Sequence, residues 1–291
     1  MVLLYIPPVQ NLLRREVTAY ASKATGMQIQ VERIDLRFPL NLLVRGVEVI
    51  QQPDTLLSLE SLNVRVQAWP LLKGKVEVDE VTLSQVAVNS ANLIEGMQIK
   101  GVLGRFFLQS HGVDLSNETA VVNRTELSDT HIQLLMTDTT TTPKDTTASA
   151  PVNWKVNLHQ LKLKNVSFGM KLPADSMKMA AYIGEATIDD AKADLKNQFY
   201  GLKQFLLSGA SASYDTGEAQ PSEGFDASHM AVRNIRIGLD SLLYEGRNMN
   251  AVIREITMEE RSGLSITSLT GRLFSNDSII RIPELKLQTP H

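Results

Sequence analysis

The stretch KGKVEVDEVTLSQVAVN, residues 73–89, constrains the fold more than any other part of the chain. Its apolar residues come as alternating pairs, Val76/Val78, Val81/Leu83 and Val86/Val88, with two polar residues, Asp79-Glu80 and Ser84-Gln85, between one pair and the next. Alternation within a pair marks a half-buried β-strand, because successive side chains leave opposite faces of a sheet. A spacer of two residues flips the inward parity, and a strand absorbs the flip only through a β-bulge or a bend that sharpens its twist. The stretch predicts a long, curling strand. A sheet of such strands closes around something apolar or forms a gutter.

The period of two begins at Met27 and returns to the end of the chain. MQIQVERIDLRF, NLLVRGVEVIQQ and LLSLESLNVRVQAW precede the opening stretch, with turn signals at Phe38-Pro39, Pro53-Asp54, Trp69-Pro70 and Lys73-Gly74. Such short connections favour an antiparallel meander. The form apolar-x-x-apolar-x-apolar recurs, for example at Val31/Ile34/Leu36, Leu59/Leu62/Val64 and Leu158/Leu161/Leu163. About ten such matches are expected by chance in a chain of this composition, so the form alone carries no weight. More informative are the charged residues at its polar places, as in VERIDL, VDEVTL and IREITM, which keep one face wet.

Ahead of the strands, Val9, Leu12, Leu13, Val17, Tyr20, Ala21 and Ala24 follow helical spacing between Pro8 and Gly26. This amphipathic helix, residues 9–26, either caps the end of the β-structure or lies on a membrane surface. Residues 1–8 hold an apolar run, far short of the ~20 residues that span a bilayer, and read as the tail of a longer segment. Residues 27–136 form a first β-unit and 153–291 a second. Between them, 137–152 is rich in Thr and low in apolar residues, which predicts a mobile, protease-accessible loop. Asp215 to Ala227 should be a further loop.

Composition excludes several classes. The formal net charge is −3 with both signs interspersed, so no electrostatic footprint for nucleic acid exists. There is no cysteine, which removes disulfides and thiolate chemistry. The five histidines, His111, His131, His159, His229 and His291, have no partners at metal-ligand spacing. Asp189-Asp190 with Glu185 is the densest carboxylate group and reads as the polar face and turn of a strand. No nucleophile elbow or phosphate-cradling Gly loop is present. An enzyme, a cofactor and a metal are therefore not expected. Aromatics are 5% against abundant aliphatics, which suits strands facing each other or a flexible apolar ligand. Asp138-Thr139-Thr140 and Asp145-Thr146-Thr147 resemble a periplasmic O-glycosylation acceptor pattern, making Thr139 and Thr146 candidate sites.

Residues 1–90 carry a resemblance. IPPVQNLLRREVTAYASKATGMQIQVERIDLRFPLNLLVRGVEV, followed by LLSLESLNVRVQAWPLLKGKVEVDEVTLSQVAV, resembles the N-terminal region of the TamB family, the AsmA-like inner-membrane subunit of the translocation and assembly module. The helix ending at Thr25-Gly26, the strand with Ile34 and Leu36, the Arg45-Gly46-Val47 turn and the Leu71-Leu72-x-Gly74 turn carry it. The resemblance implies a single N-terminal anchor in the inner membrane, with residues 1–8 its remnant. It also implies a periplasmic β-structure shaped as an open tube with an apolar interior. Members of that family support outer-membrane biogenesis and protein secretion, some with an outer-membrane assembly-type barrel, and are similar to bridge-like lipid transfer proteins. A family C-terminal domain does not fit in this length, so the second unit is expected to continue in a larger protein.

The expected fold is mainly β: one N-terminal amphipathic helix, then long curled antiparallel strands forming an open apolar groove. Acyl chains of phospholipids would slide along its floor, attracted without direction at about 0.8 kcal/mol per buried methylene. The expected lining is Leu62, Val64, Val66, Val76, Val78, Val81, Leu83, Val86 and Val88. The competing expectation is a structural or adhesive β-sandwich or β-solenoid, its interior filled by its own side chains.

Overall fold

A computed structural model describes residues 7–38, 40–51, 54–67, 77–90, 93, 96–114, 117–136, 153–217 and 220–290. One helix, α1 (Pro7–Thr25), precedes β1 (Gln28–Arg37), β2 (Asn41–Gln51), β3 (Asp54–Val66), β4 (Val78–Asn89), β5 (Met97–Asp114) and β6 (Thr119–Met136). There follow β7 (Lys155–Leu172), β8 (Met177–Asp194), β9 (Phe199–Leu202), β10 (Gln204–Asp215) and β11 (His229–Glu245). β12 (Asn248–Glu260), β13 (Ser265–Ser275), β14 (Ile280–Arg281) and β15 (Lys286–Gln288) complete the chain. The change of period from 3.6 to 2 near Met27 is the change from helix to strand.

All fifteen strands belong to one sheet, ordered β1-β2-β3-β4-β5-β6-β7-β8-β10-β11-β12-β13-β14, with β9 and β15 paired beside that path. Sequential neighbours pair antiparallel, as short turns dictate. One pair corrects the expectation of a wholly antiparallel sheet: β6 and β7 run parallel, from Thr119↔Lys155 to Leu135↔Lys171. The connection between them is the Thr-rich stretch, which is long enough to carry the chain back along the strand, as a parallel pair requires. Thr139 and Thr146, and the expected mobility of that loop, lie outside the described residues. The sheet is continuous across the boundary between the two β-units.

The polar spacers do what parity demands. Pairing lapses at one residue per strand along a line through Glu32, Gly46, Glu60, Gln85, Gly104, Asp129, Asn165, Gly184 and Gly209. Gly46 (φ 57°), Gln85 (49°), Asp129 (51°), Asn165 (53°) and Gly209 (61°) on this line are left-handed. A left-handed residue restores the inward parity that the extra spacer would reverse. Asn and Asp tolerate that conformation better than other side chains, and Asn165 Nδ2 donates to Asp129 Oδ1 at 2.7 Å across the parallel pair. Gly104 is needed for close approach, since a Cβ there would meet Asp129 Cβ at 2.7 Å and its carbonyl oxygen at 2.8 Å. A second line passes Asn123, His159 and Asp190, with Asp190 left-handed at φ 49°. In β4, the register shift between Arg65 and Val66 leaves Asp79 as an extra residue.

The two edges of the sheet are finished differently. α1 lies along β1: Gln10 donates to the Leu36 carbonyl at 3.0 Å, Arg14 to the Glu32 carbonyl at 2.7 Å, and Ser22 Oγ accepts from the Ile29 amide at 3.0 Å. These bonds occupy backbone groups that an edge strand leaves unpaired. Leu12 and Tyr20 stay exposed. No helix among the described residues is long and apolar enough to cross a membrane. At the far edge β14 and β15 are short, and Ile280 is 72% exposed.

Candidate functional site: an apolar ladder across the sheet

In a sheet, residues directly opposite each other on neighbouring strands share a face and touch. Following the register from β1 therefore traces a row of side chains perpendicular to the strands. One such row is Ile34, Val44, Leu62, Leu83, Phe106, Leu127, Leu163, Ala186, Leu207, Ile237, Ile256, Leu269 and Leu287. It takes one residue from each of thirteen strands, and every one is apolar. At a strand spacing of about 4.8 Å the row is about 58 Å long.

A second row runs beside it: Leu36, Leu42, Val64, Val81, Leu108, Thr125, Leu161, Ile188, Phe205, Leu239, Ile253 and Gly271. On the other side of the bulge line, Val47, Leu59, Val86, Leu103, Thr130 and Val166 make a third. Without the left-handed residues, Val86 and Val166 would turn to the face opposite Leu83 and Leu163. The left-handed residues keep the apolar rows together.

The expected lining residues take definite places in these rows. Leu62 opposes Leu83, Val64 opposes Val81, and Val66 opposes Val78. Val86 faces Leu59 and Leu103, while Val88 opposes Leu57. Val76 lies outside the described residues. All eight described members are half-buried except Val88, which is 37% exposed. Two cavities, of 1030 and 680 Å³, lie elsewhere and include none of the eight described members.

Burial along the rows is incomplete. Among the described residues no large side chain is fully buried, and the buried apolar residues are Ile34, Leu56, Ala120, Val122, Ala186, Ala210 and Ala251, mostly small. Every described strand belongs to the one sheet, so no second sheet covers the rows. Phe106, Leu127, Leu163 and Leu207 were not among the expected lining residues. Their apolar character was visible, but their alignment with Leu83 depends on register.

The opposite face is polar. Arg33, Arg45, Ser61, Ser84, Arg105, Ser128, Lys164, Glu185 and Ser208 form its row. The carboxylate group noted in the sequence belongs to structure. Asp190 accepts from Lys203 Nζ at 2.8 Å and lies 3.1 Å from His159 Nδ1. Those contacts, Lys203 foremost, hold its carboxyl below the ordinary range. Asp189 accepts from Gln160 Nε2 at 3.0 Å. Among the described residues no three potential metal ligands converge. No known family model matches the chain, and no curated protein matches it in sequence.

Proposed function

We propose that the chain is the N-terminal part of an inner-membrane-anchored periplasmic protein that conducts phospholipid towards the outer membrane. In this reading it supports outer-membrane biogenesis and protein secretion. One observation carries the reading: thirteen consecutive rungs of apolar side chains, half-buried for the most part and uncovered by a second sheet among the described residues. An uncovered apolar stripe about 58 Å long is a costly surface to leave in water and suits a flexible apolar ligand. The sheet curls about this face into a groove, acyl chains lie along the rows, and head groups stay in water at the open seam. Nondirectional attraction lets a chain advance without breaking a specific bond. The resemblance of residues 1–90 to the TamB family supports the same reading, including the membrane anchor and an outer-membrane barrel partner.

The filled sandwich or solenoid is less well supported, because it needs large, fully buried side chains. Val81→Asp and Leu83→Arg separate the two readings. In an open groove the charge reaches solvent at the seam, so the protein folds while lipid crosslinking is lost. In a filled interior the same charges destabilise by about 3 kcal/mol or more, and crosslinking per folded molecule does not change.

A further inference from the structure

The 1030 Å³ cavity lies at the end of the sheet formed by β5, β6, β7, β8, β10, β11 and the β12–β13 turn. We propose that it binds a phosphate-bearing ligand, at a site beyond the three apolar rows.

The floor follows from register. Lys100, Gln133, Gly169, Ala180, Ser213 and Ala231 are successive rungs of one row. That row alternates with Gly101, Ile132, Phe168, Ala181, Ala212 and Val232, which continue the apolar face, and of these Phe168, Ala181, Ala212 and Val232 also line the cavity. Small residues on four adjoining strands, Gly169, Ala180, Ser213 and Ala231, lower the floor, and longer side chains stand around it.

Its walls are cationic on several sides. Lys100 stands on the β5 side, Arg261 beyond β11, and Lys171 and Lys178 at the end. None of these four makes an ion pair among the described residues, while Arg233 is already bound to Glu259 at 3.0 Å. The acids of the lining offset part of this charge and leave a positive excess. They are Asp215 and Glu260, the latter accepting from the Ser262 and Ala231 amides at 2.6 and 3.3 Å, against five cations. A positive cavity in a chain of net charge −3 is a local departure from composition.

Lys171 and Lys178 oppose each other directly in the β7–β8 register. Like charges so placed repel and weaken a sheet, unless an anion bridges them. Lysine ammonium groups bind phosphate as point charges, and the Lys171/Lys178 pair sets two of them side by side. Leu135 and Tyr182 add apolar surface to the same walls, for an ester group attached to the phosphate. A phospholipid head group and a soluble phosphoester share this chemistry.

The test is calorimetric titration of the whole chain with three probes: inorganic phosphate, glycerol 3-phosphate and short-chain phosphatidic acid below its micelle concentration. The Lys171→Gln/Lys178→Gln double variant and Lys164→Gln, a cation of the same face outside the cavity, are titrated alongside. Saturable binding of at least one probe is expected, weakened about tenfold or more in the double variant and unchanged in Lys164→Gln. The double variant removes a repulsive pair, so its melting temperature should equal or exceed that of the parent. Preference for phosphatidic acid assigns the site to lipid head groups, and equal binding of glycerol 3-phosphate assigns it to a soluble ester. No saturable binding, or an equal loss in Lys164→Gln, overturns the proposal. Lipid crosslinking on the apolar rows is independent of this site, so either reading can fail alone.

Discussion

Leu83, Phe106, Leu127 and Leu163 stand next in sequence to Ser84, Arg105, Ser128 and Lys164, and the two sets form neighbouring rows across the same four strands. One step along the chain changes the face and, with it, the character of the surface. The polar row is solvated and makes few demands on its neighbours. Among the described residues the apolar row has no second sheet against it. Both rows are equally regular, so the contrast arises from side-chain chemistry and not from backbone order.

The largest effect should come from exchanging that chemistry. Leu163→Asp is expected to cut lipid loading to about a tenth or less, because a carboxylate among acyl chains is desolvated without a partner. Ser128→Asp, on the facing row of the adjoining strand, should leave loading unchanged. Lipid copurifying with each folded variant, measured by mass spectrometry, checks the pair.

The next effect attacks the device that holds the apolar rows on one face. Gly104→Ala places a Cβ 2.8 Å from the Asp129 carbonyl oxygen and should cost about 1–3 kcal/mol in urea unfolding. Gly169→Ala is the control, since its nearest neighbour is Gln133 Cγ at 3.9 Å, and a change within about 0.5 kcal/mol is expected. A smaller loss of about 1–2 kcal/mol should follow Asn165→Ala, which loses the bond to Asp129 and strains a left-handed residue. Asn165→Gly should recover part of it, measured in the same unfolding series.

The smallest effect concerns the β10–β11 loop, on neither row. Asp226 accepts from the Ser222 and Ser228 amides and faces His229 Nδ1 at 3.0 Å. The Ser222 amide first, then His229 and Ser228, hold its carboxyl far below the ordinary range. A depressed folded value makes the contribution complete above the unfolded value of about 3.9 and lost as pH falls below it. Acid unfolding of Asp226→Asn should therefore lack that part of the parent's loss below about pH 4, while the two proteins keep a constant difference at neutral pH.

Much of this contrast was legible in residues 73–89. The spacers Asp79-Glu80 and Ser84-Gln85 marked parity shifts, and the structure places an extra residue at Asp79 and a left-handed one at Gln85. Local chemistry sufficed there, because a bulge is a property of one strand. The parallel pairing of β6 with β7 was not legible, since a period of two is the same read in either direction. Nor was the ladder beyond β4, because alternation says which residues share a face and not which rung they join. α1 was legible as a helix that caps the β-structure or lies on a membrane, but helical spacing does not say which strand it joins; the structure sets it along β1, where Gln10, Arg14 and Ser22 meet the backbone.

A benzophenone amino acid placed singly at Leu83, Leu127 and Leu163, and at Ser84, Ser128 and Lys164, tests the central claim most directly. After irradiation in the presence of phospholipid, covalent lipid adducts are expected at the first three positions and not at the second three. Equal yields on both rows, or no adduct at Leu83, Leu127 and Leu163 in a folded protein, would contradict the account.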